Sequence, residues 1–171
     1  LKQQGKIRHY AISTNSVDAL KAINVNGQCA SCQIHYSLLN RRPENDILPY
    51  CLDNAIGVLL RDPIAQGILA DKFTEATRFD DIVRQSWNPD GSGRADFLAR
   101  LDTVAKLRDL VPAGSTMVDL ALKFTLAHPA VTCPIPGMKS PEQARQNAAA
   151  GDGELDRAVL RRIDAICPPG H

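Results

Sequence analysis

With 171 residues, 20 basic and 19 acidic side chains and a net charge of +1, the chain carries no long-range field that would gather nucleic acid or anionic lipid. Its 44% hydrophobic and 23% charged residues are ordinary for one globular domain and argue against extended disorder. No apolar run approaches the ~18 residues of a membrane-spanning helix, and the opening LKQQGKIRHY lacks the apolar core and cleavage site of a signal peptide.

That opening also has no initiator Met, so Leu1 reads as the middle of a longer chain. Five cysteines (Cys29, Cys32, Cys51, Cys133, Cys167) are an odd count in a chain long enough to bury a core without staples. Reduced thiols in a cytoplasmic compartment are the simpler expectation. Cys29 and Cys32 have redox-motif spacing, but no second such pair completes a zinc site, and Cys32 is expected inside a strand.

In chain order, Lys6 to Ile12 is a β-prone run. Ser16 then caps a helix from Val17 to Ile23, with Val17, Leu20 and Ile23 at helical spacing. Ser31 to Tyr36 is a second strand. Pro43 opens a helix through Ile47, Leu48 and Cys51 that ends near Asn54. Ile56 to Leu60 is nearly continuous in apolar residues, as in a parallel strand buried on both faces.

Asp71 to Gly93 is a long polar loop with strong turn chemistry in Asn88-Pro89-Asp90-Gly91-Ser92-Gly93. Two amphipathic helices follow, one presenting Phe97, Leu101, Val104 and Ala105, the other Met117, Leu120, Ala121, Phe124 and Ala127. Ala130 to Ile135 is the last strand. Ser140 caps the next helix, with Pro141 in its first turn and Gln143 placed for a capping box. A final helix carries Leu155, Val159, Ile163 and Ile166. Strands alternating with helices predict βαβ units, a parallel sheet and helices packed outside it.

Four blocks of this chain are similar to one known family, in its order and spacing. GKIRHYAIST resembles the fifth barrel strand of the aldo-keto reductases, commonly GKIRxxGxSN; CQIHYSLLNRR resembles the sixth; GVLLRDPIAQGIL resembles the seventh; PIPGMKSPEQARQNAAA resembles the eighth strand with its phosphate loop and helix. The implied fold is the C-terminal half of a TIM (β/α)8 barrel, about four parallel strands with outer helices, in a family whose whole barrel runs to about 250 residues or more. Residues 1–171 would form a single partial domain, with 71–93 as its long loop and 94–171 supplying helices, the last strand and the cofactor-binding helix.

The resemblance implies an NADPH-dependent carbonyl reductase with NADP as cofactor and a small carbonyl compound as substrate. The family's catalytic Asp, Tyr, Lys and His belong to strands one to four, so no catalytic residue is assigned here, and no metal site. Tyr10, His35 and Tyr36 belong to strand motifs and are expected to pack. Ser13, Thr14 and Gln33 match positions that hold the nicotinamide carboxamide. Arg61 matches a position beside the nicotinamide ring, and Pro63, Ile64, Gln66 and Gly67 match the pyrophosphate clasp. Gly137, Lys139, Ser140 and Gln143 match the 2′-phosphate loop, and Gln146 and Asn147 the adenine contacts. Bottom-up, a helix N-terminus beside a glycine and a lysine suits a phosphate, although the same residues equally describe a capped surface helix. Asp62 departs from the small residue usual in the family, and puts a carboxylate near phosphates unless Arg61 or Lys139 neutralises it. Trp87 has two readings, lining a substrate pocket or anchoring the long loop.

Half a barrel has two strand edges and an uncovered inner face. Val58 and Leu60 are expected on that inner face. The chain is therefore expected to pair with a second half-barrel or to form a homodimer. Its function is either that of a piece of a reductase, inactive alone, or that of a non-catalytic NADP(H)-binding or self-associating module.

Overall fold

The computed structural model describes residues 1–170. Four strands, β1 (Tyr10–Ser13), β2 (Cys29–His35), β3 (Gly57–Arg61) and β4 (Cys133–Ile135), form one sheet in sequence order, every neighbouring pair parallel. Helices α1 (Val17–Ile23), α2 (Ile47–Asp53), α3 (Arg94–Leu107), α4 (Met117–Leu126), α5 (Pro141–Ala149) and α6 (Arg157–Ile166) supply the connections and the C-terminal end.

Local chemistry explains the element starts. Ser16 Oγ accepts the Ala19 N–H at 3.2 Å and opens α1 where the sequence placed it. Thr116 and Asp119 form a reciprocal capping box on α4. The helix expected from Pro43 is instead broken: residues Arg42–Asn45 make one 3₁₀ turn, Asp46 leaves helical geometry, and its carboxylate takes the Ile47 N–H at 2.5 Å to start α2.

Strand limits follow their partners. β1 begins at Tyr10, not Lys6, because its neighbour β2 begins at Cys29, in register with Tyr10; among the described residues, residues 6–9 have no strand to pair with. β4 is shorter than the run from Ala130. Thr132 is tied to β3 twice: its N–H donates to the Val58 carbonyl at 3.0 Å, and its hydroxyl accepts the Val58 N–H at 3.0 Å where a backbone carbonyl would continue the ladder. Pro134 is tolerated in β4 because the strand lies at the sheet edge.

One face of the sheet is covered and the other is not. Cys32, Ile34, Val58 and Leu60 are fully buried, and share a core with Leu20 of α1, Leu48 and Cys51 of α2, and Leu120 and Ala121 of α4. Their alternates Ser31, Gln33, His35, Gly57, Leu59 and Arg61 are half-exposed, and Ala11, Ser13, Cys133 and Ile135 are exposed. This corrects the expectation for Val58 and Leu60. They face the helices, and Leu59 faces the open side. The apolar run around β3 read as burial on both faces, but only the helix face has a covering layer among the described residues.

The helical layer differs from expectation in two places. Ala105 and Ala127 are exposed, and Leu107 completes the buried stripe of α3. The long loop is ordered by an aromatic cluster. Trp87 stacks on Phe97 of α3 at 5.2 Å between centroids, while Phe79 meets both rings edge-on. Asn88 brackets the Phe79 backbone with two hydrogen bonds. Gly91 is required there, since a Cβ would lie 2.1 Å from the Ser86 carbonyl oxygen. Of the two roles left open for Trp87, the structure shows the anchoring one: the side chain is buried against α3.

A buried polar knot ties the C-terminal segment to the β2–α2 connection. The Arg41 guanidinium forks onto Glu44 at 2.7 and 2.9 Å, and reaches Asp164 at 2.7 Å and the Cys167 carbonyl at 2.5 Å. Tyr36 donates to Glu44 at 2.7 Å, and burial together with that carboxylate pushes its pKa far above the ordinary phenol value, so it packs as a neutral side chain. His128 lies edge-on to Tyr36, and its Nδ1 accepts the Ala130 N–H at 3.2 Å.

Burial lowers the His128 proton affinity below that of a free imidazole. A folded value depressed below the unfolded one means the associated stability is present above about pH 6.5 and is lost as pH falls through the folded value. Melting temperature measured from pH 8 to pH 5 should therefore fall on the acid side. His128→Asn, which keeps an acceptor but does not titrate, should flatten that limb.

Candidate functional site

The C-terminal ends of parallel strands are where such sheets place ligands, because chain turns there expose backbone donors and polar side chains. In this chain those ends carry two features, a polar row on the open sheet face and a groove beyond β3 and β4.

The row runs Ser13, Gln33, Leu59, Cys133 in register across all four strands. Ser13 Oγ donates to Gln33 Oε1 at 3.3 Å. Thr14 sits just beyond; its N–H bonds the Gln33 carbonyl at 3.1 Å and its hydroxyl accepts the Ser16 N–H at 3.0 Å, so that oxygen already serves the turn into α1. One step up, His35 and Arg61 stand side by side with Ile135.

The groove encloses about 510 Å³ and gathers Ile64, Gln66, Gly67, Gly137, Lys139 and Gln143 of the expected residues. It is formed because the chain after β3 turns through left-handed backbone at Asp62, Ala65, Gln66 and Gly67, with φ of 57°, 48°, 57° and 88°. Pro63 and Ala65 are buried beneath this turn, so Pro63 shapes the wall rather than presenting its side chain. On the facing wall Ser140 Oγ caps Gln143 N–H at 3.2 Å. Gln143 Oε1 accepts from the Lys139 N–H at 2.7 Å, one residue earlier than the capping-box pattern predicts. Gln146 turns away from the groove and donates to Thr116 Oγ1 at 3.3 Å, while Asn147 is half-buried on the same helix.

The charge of the groove is specific. Asp62 and Asp81 face Lys72, Arg84 and Lys139. Asp81 pairs with Arg84 at 2.9 Å, and Asp62 pairs with His35 at 3.2 Å, not with Arg61 or Lys139 as the sequence reading offered. Among the described residues neither Lys72 nor Lys139 has an acidic partner within ion-pair distance. The carboxylates are thus occupied and two ammonium groups are not, a donor set that fits a phosphate-bearing ligand.

Lys72, Val83 and Arg84 also line the groove, and nothing in the sequence marks them as site residues. Arg84 reaches the groove only because the long loop folds back over Phe73 and Phe79, with its guanidinium 5.6 and 5.4 Å from their ring centroids. No spacing in the sequence signals that fold-back.

Other titratable groups do not assemble a second site. Cys29, Cys32 and Cys51 are buried behind the sheet as free thiols. Burial pushes Cys29 up, and the bond between Cys32 and Cys51 pushes Cys51 up and Cys32 down; all three thiols lie buried, away from the groove. Among the described residues no cluster of three His, Cys, Asp or Glu side chains could hold a metal ion, and no helix is long and apolar enough to cross a membrane.

A parallel sheet with helices on one face and a cationic groove at its strand ends defines a half-open α/β unit of the β/α-barrel type. Residues 1–168 match the Aldo/keto reductase family, and the chain belongs to that family. It is 32% identical over 166 residues to an uncharacterized oxidoreductase, YqkF, of Bacillus subtilis, covering 97% of this chain and 51% of that protein. It is 28% identical over 174 residues to the NADH-specific methylglyoxal reductase of Escherichia coli, covering 95% of this chain and 50% of that protein. Among solved structures it is similar to an aldo/keto reductase from Klebsiella pneumoniae in complex with NADP and acetate, at 27% identity and a TM-score of 0.69, over 99% of this chain and 51% of that one. The chain spans about half the length of the relatives it matches.

Proposed function

We propose that this chain is the C-terminal half, strands five to eight, of an NADPH-dependent carbonyl reductase, that it holds the cofactor, and that alone it does not turn over substrate. The observation that carries this reading is the sheet itself. Its helix face is packed, its other face and both edges have no covering layer among the described residues, and the segments after β3 and β4 form a groove with two lysines that have no acidic partner there. A unit shaped to close against four more β/α units would have this form.

NADPH, when bound, supplies the hydride. This chain's residues bind and orient: Lys139 and the turn formed by Ile64, Gln66 and Gly67 hold the phosphates, Gly137 lets backbone approach them, and Ser140 with Gln143 shapes the helix end beside them. Ser13, Thr14, Gln33 and Arg61 receive the nicotinamide end, and Asn147 with Gln146 the adenine end, Gln146 after release from Thr116. The family's Asp, Tyr, Lys and His proton-transfer set is assigned to the first four strands, and the small carbonyl substrate to the completed barrel.

The purified chain is expected to quench or shift NADPH fluorescence on titration and to leave NADPH unoxidised with a panel of aldehydes. Turnover would overturn the division of labour, and absence of binding would overturn the cofactor assignment. A second reading, a self-associating module, is favoured by exposed Ile135 and Cys133 on the bare face and edge. A stable dimer by light scattering that binds NADPH supports it; a monomer that does so supports the half-enzyme.

A further inference from the structure

The C-terminal edge of the sheet is uneven, and side chains close the gap. β1 stops at Ser13, opposite Gln33, while β2 runs two residues further, to His35. The Gln33 carbonyl accepts the Thr14 N–H at 3.1 Å, so Gln33 turns its backbone polar groups toward β1. The two-residue period of a strand turns those of His35 the same way. There the chain is already leaving for α1, and the Ser16 N–H, next in line for the ladder, goes to the Thr14 hydroxyl at 3.0 Å. Two carboxamides stand in for the missing strand. Asn15 Oδ1 accepts the His35 N–H at 2.9 Å, and Asn40 Nδ2 donates to the His35 carbonyl at 3.0 Å. A tight turn brings Asn40 back beside His35: Ser37 and Asn40 exchange both backbone hydrogen bonds, at 3.2 and 3.1 Å. The His35 backbone also fixes the orientation of each amide, because its N–H requires an acceptor and its C=O a donor.

We infer that Asn15 and Asn40 are positioning residues for the nicotinamide end of the site: they clamp the tip of β2 through the backbone of His35, and so hold Gln33 in one row with Ser13 and Thr14. This inference deepens the reading of these strand ends as part of a cofactor site and rests on it.

The clamp ties the β1–α1 turn, the end of β2 and the β2–α2 connection to a single residue. Ser13 and Thr14 immediately precede Asn15, and Gln33 stands two residues before His35, with its side chain on the same open face. Asn15 is exposed and Asn40 half-buried, so water can replace both bonds and they add little to global stability. Their effect is local. Without them the end of β1 and the tip of β2 fray, and the Ser13–Gln33 contact, one bond at 3.3 Å, loses its frame. A ligand that needs Ser13, Thr14 and Gln33 together must then order them on binding, which lowers its affinity. For the loss of one neutral hydrogen bond the effect is about three- to tenfold. The phosphate-facing groove is built from the segments after β3 and β4, which the clamp does not touch.

The test measures, by calorimetry on the full chain, the binding of NADPH and of 2′,5′-ADP, which carries the adenine and the 2′-phosphate but no nicotinamide. Asn15→Ala and Asn40→Ala should each weaken NADPH about three- to tenfold, while 2′,5′-ADP affinity and the melting temperature stay near those of the unmodified chain. Two aspartate substitutions separate acceptor from donor. Asn15→Asp keeps an acceptor for the His35 N–H and should retain the ratio of the two affinities. Asn40→Asp sets a carboxylate against the His35 carbonyl and should lose that ratio as fully as Asn40→Ala. Hydrogen exchange at the His35 amide should quicken in Asn15→Ala and not in Asn15→Asp. A parallel loss of both ligands, an unchanged NADPH affinity in the alanine variants, or equal behaviour of Asn15→Asp and Asn15→Ala would each overturn this inference while leaving the cofactor site intact. If the unmodified chain binds 2′,5′-ADP as tightly as NADPH, the nicotinamide end drops out of the site and this inference with it. No binding of either ligand would overturn the cofactor reading as well.

Discussion

Leu60→Ala is expected to destabilise the chain by about 2 to 5 kcal/mol in urea denaturation, whereas Leu59→Ala, one residue earlier in the same strand, should change stability by no more than about 1 kcal/mol. Leu60 is fully buried on the helix face of β3, in one core with the side chains of α2 and α4, so truncation removes apolar contacts and leaves a cavity. Leu59 points to the bare face and is only half-buried. The difference should be measured at low protein concentration, where self-association cannot cover Leu59. Leu59→Asp should be tolerated by the isolated chain, since its carboxylate stays hydrated. In a barrel completed by a second half, the same carboxylate would be buried without a partner. Equal losses at the two positions would mean that the open face is covered in solution, and would count against the half-barrel arrangement.

Arg41→Met should cost about 3 to 5 kcal/mol, the range for removing one partner from a buried ion pair. The Arg41 side chain is 7% exposed and that of Glu44 is 12% exposed, so the carboxylate left behind would be buried with only Tyr36 as a donor. Burial alone would disfavour the charged guanidinium, but its bonds to Glu44 and Asp164 outweigh that and hold it firmly protonated. The same guanidinium lies 5.0 Å from the Phe124 ring centroid, so packing is lost together with charge. Asp164 is 46% exposed and contributes less than Glu44, because water screens it. Arg41→Lys keeps the charge but not the planar fork, and should recover only part of the loss. Hydrogen exchange would add a spatial readout: α6, whose C-terminal carbonyl at Cys167 is held by Arg41, should open first in Arg41→Met. A loss below about 1 kcal/mol would place the knot among weak surface pairs.

Much of the architecture was legible in the sequence because it is written in short-range chemistry. Ser16 before Val17 and Ser140 before Pro141 mark helix starts through a side-chain oxygen that reaches an N–H three residues on, a distance the local backbone alone decides. The stripe of Met117, Leu120, Ala121 and Phe124 is a helix period, and it is buried as read. What was not legible depends on partners far along the chain. β1 could not be bounded without knowing that Cys29 is its first neighbour. The helix drawn from Pro43 breaks at Asp46 because that carboxylate caps Ile47, a competition between two good local solutions. Arg84 and Lys72 enter the groove only through the fold-back of the long loop onto Phe97.

The candidate site divides the same way. The residues Gly137, Lys139, Ser140 and Gln143 could be listed in advance because a capped helix N-terminus behind a glycine is a local motif. The sequence by itself determined the alternation of strand and helix and the helix caps, since each rests on residues within a few positions of one another, and the family, through four such local blocks in a fixed order along the chain. Only the tertiary structure decided which face of β3 is covered, that Gln146 bonds Thr116, and that Asp62 is answered by His35 and not by a lysine or Arg61. Those outcomes follow from which strands and loops meet in space, and pairwise contacts across 27 or 30 positions leave no mark in local spacing.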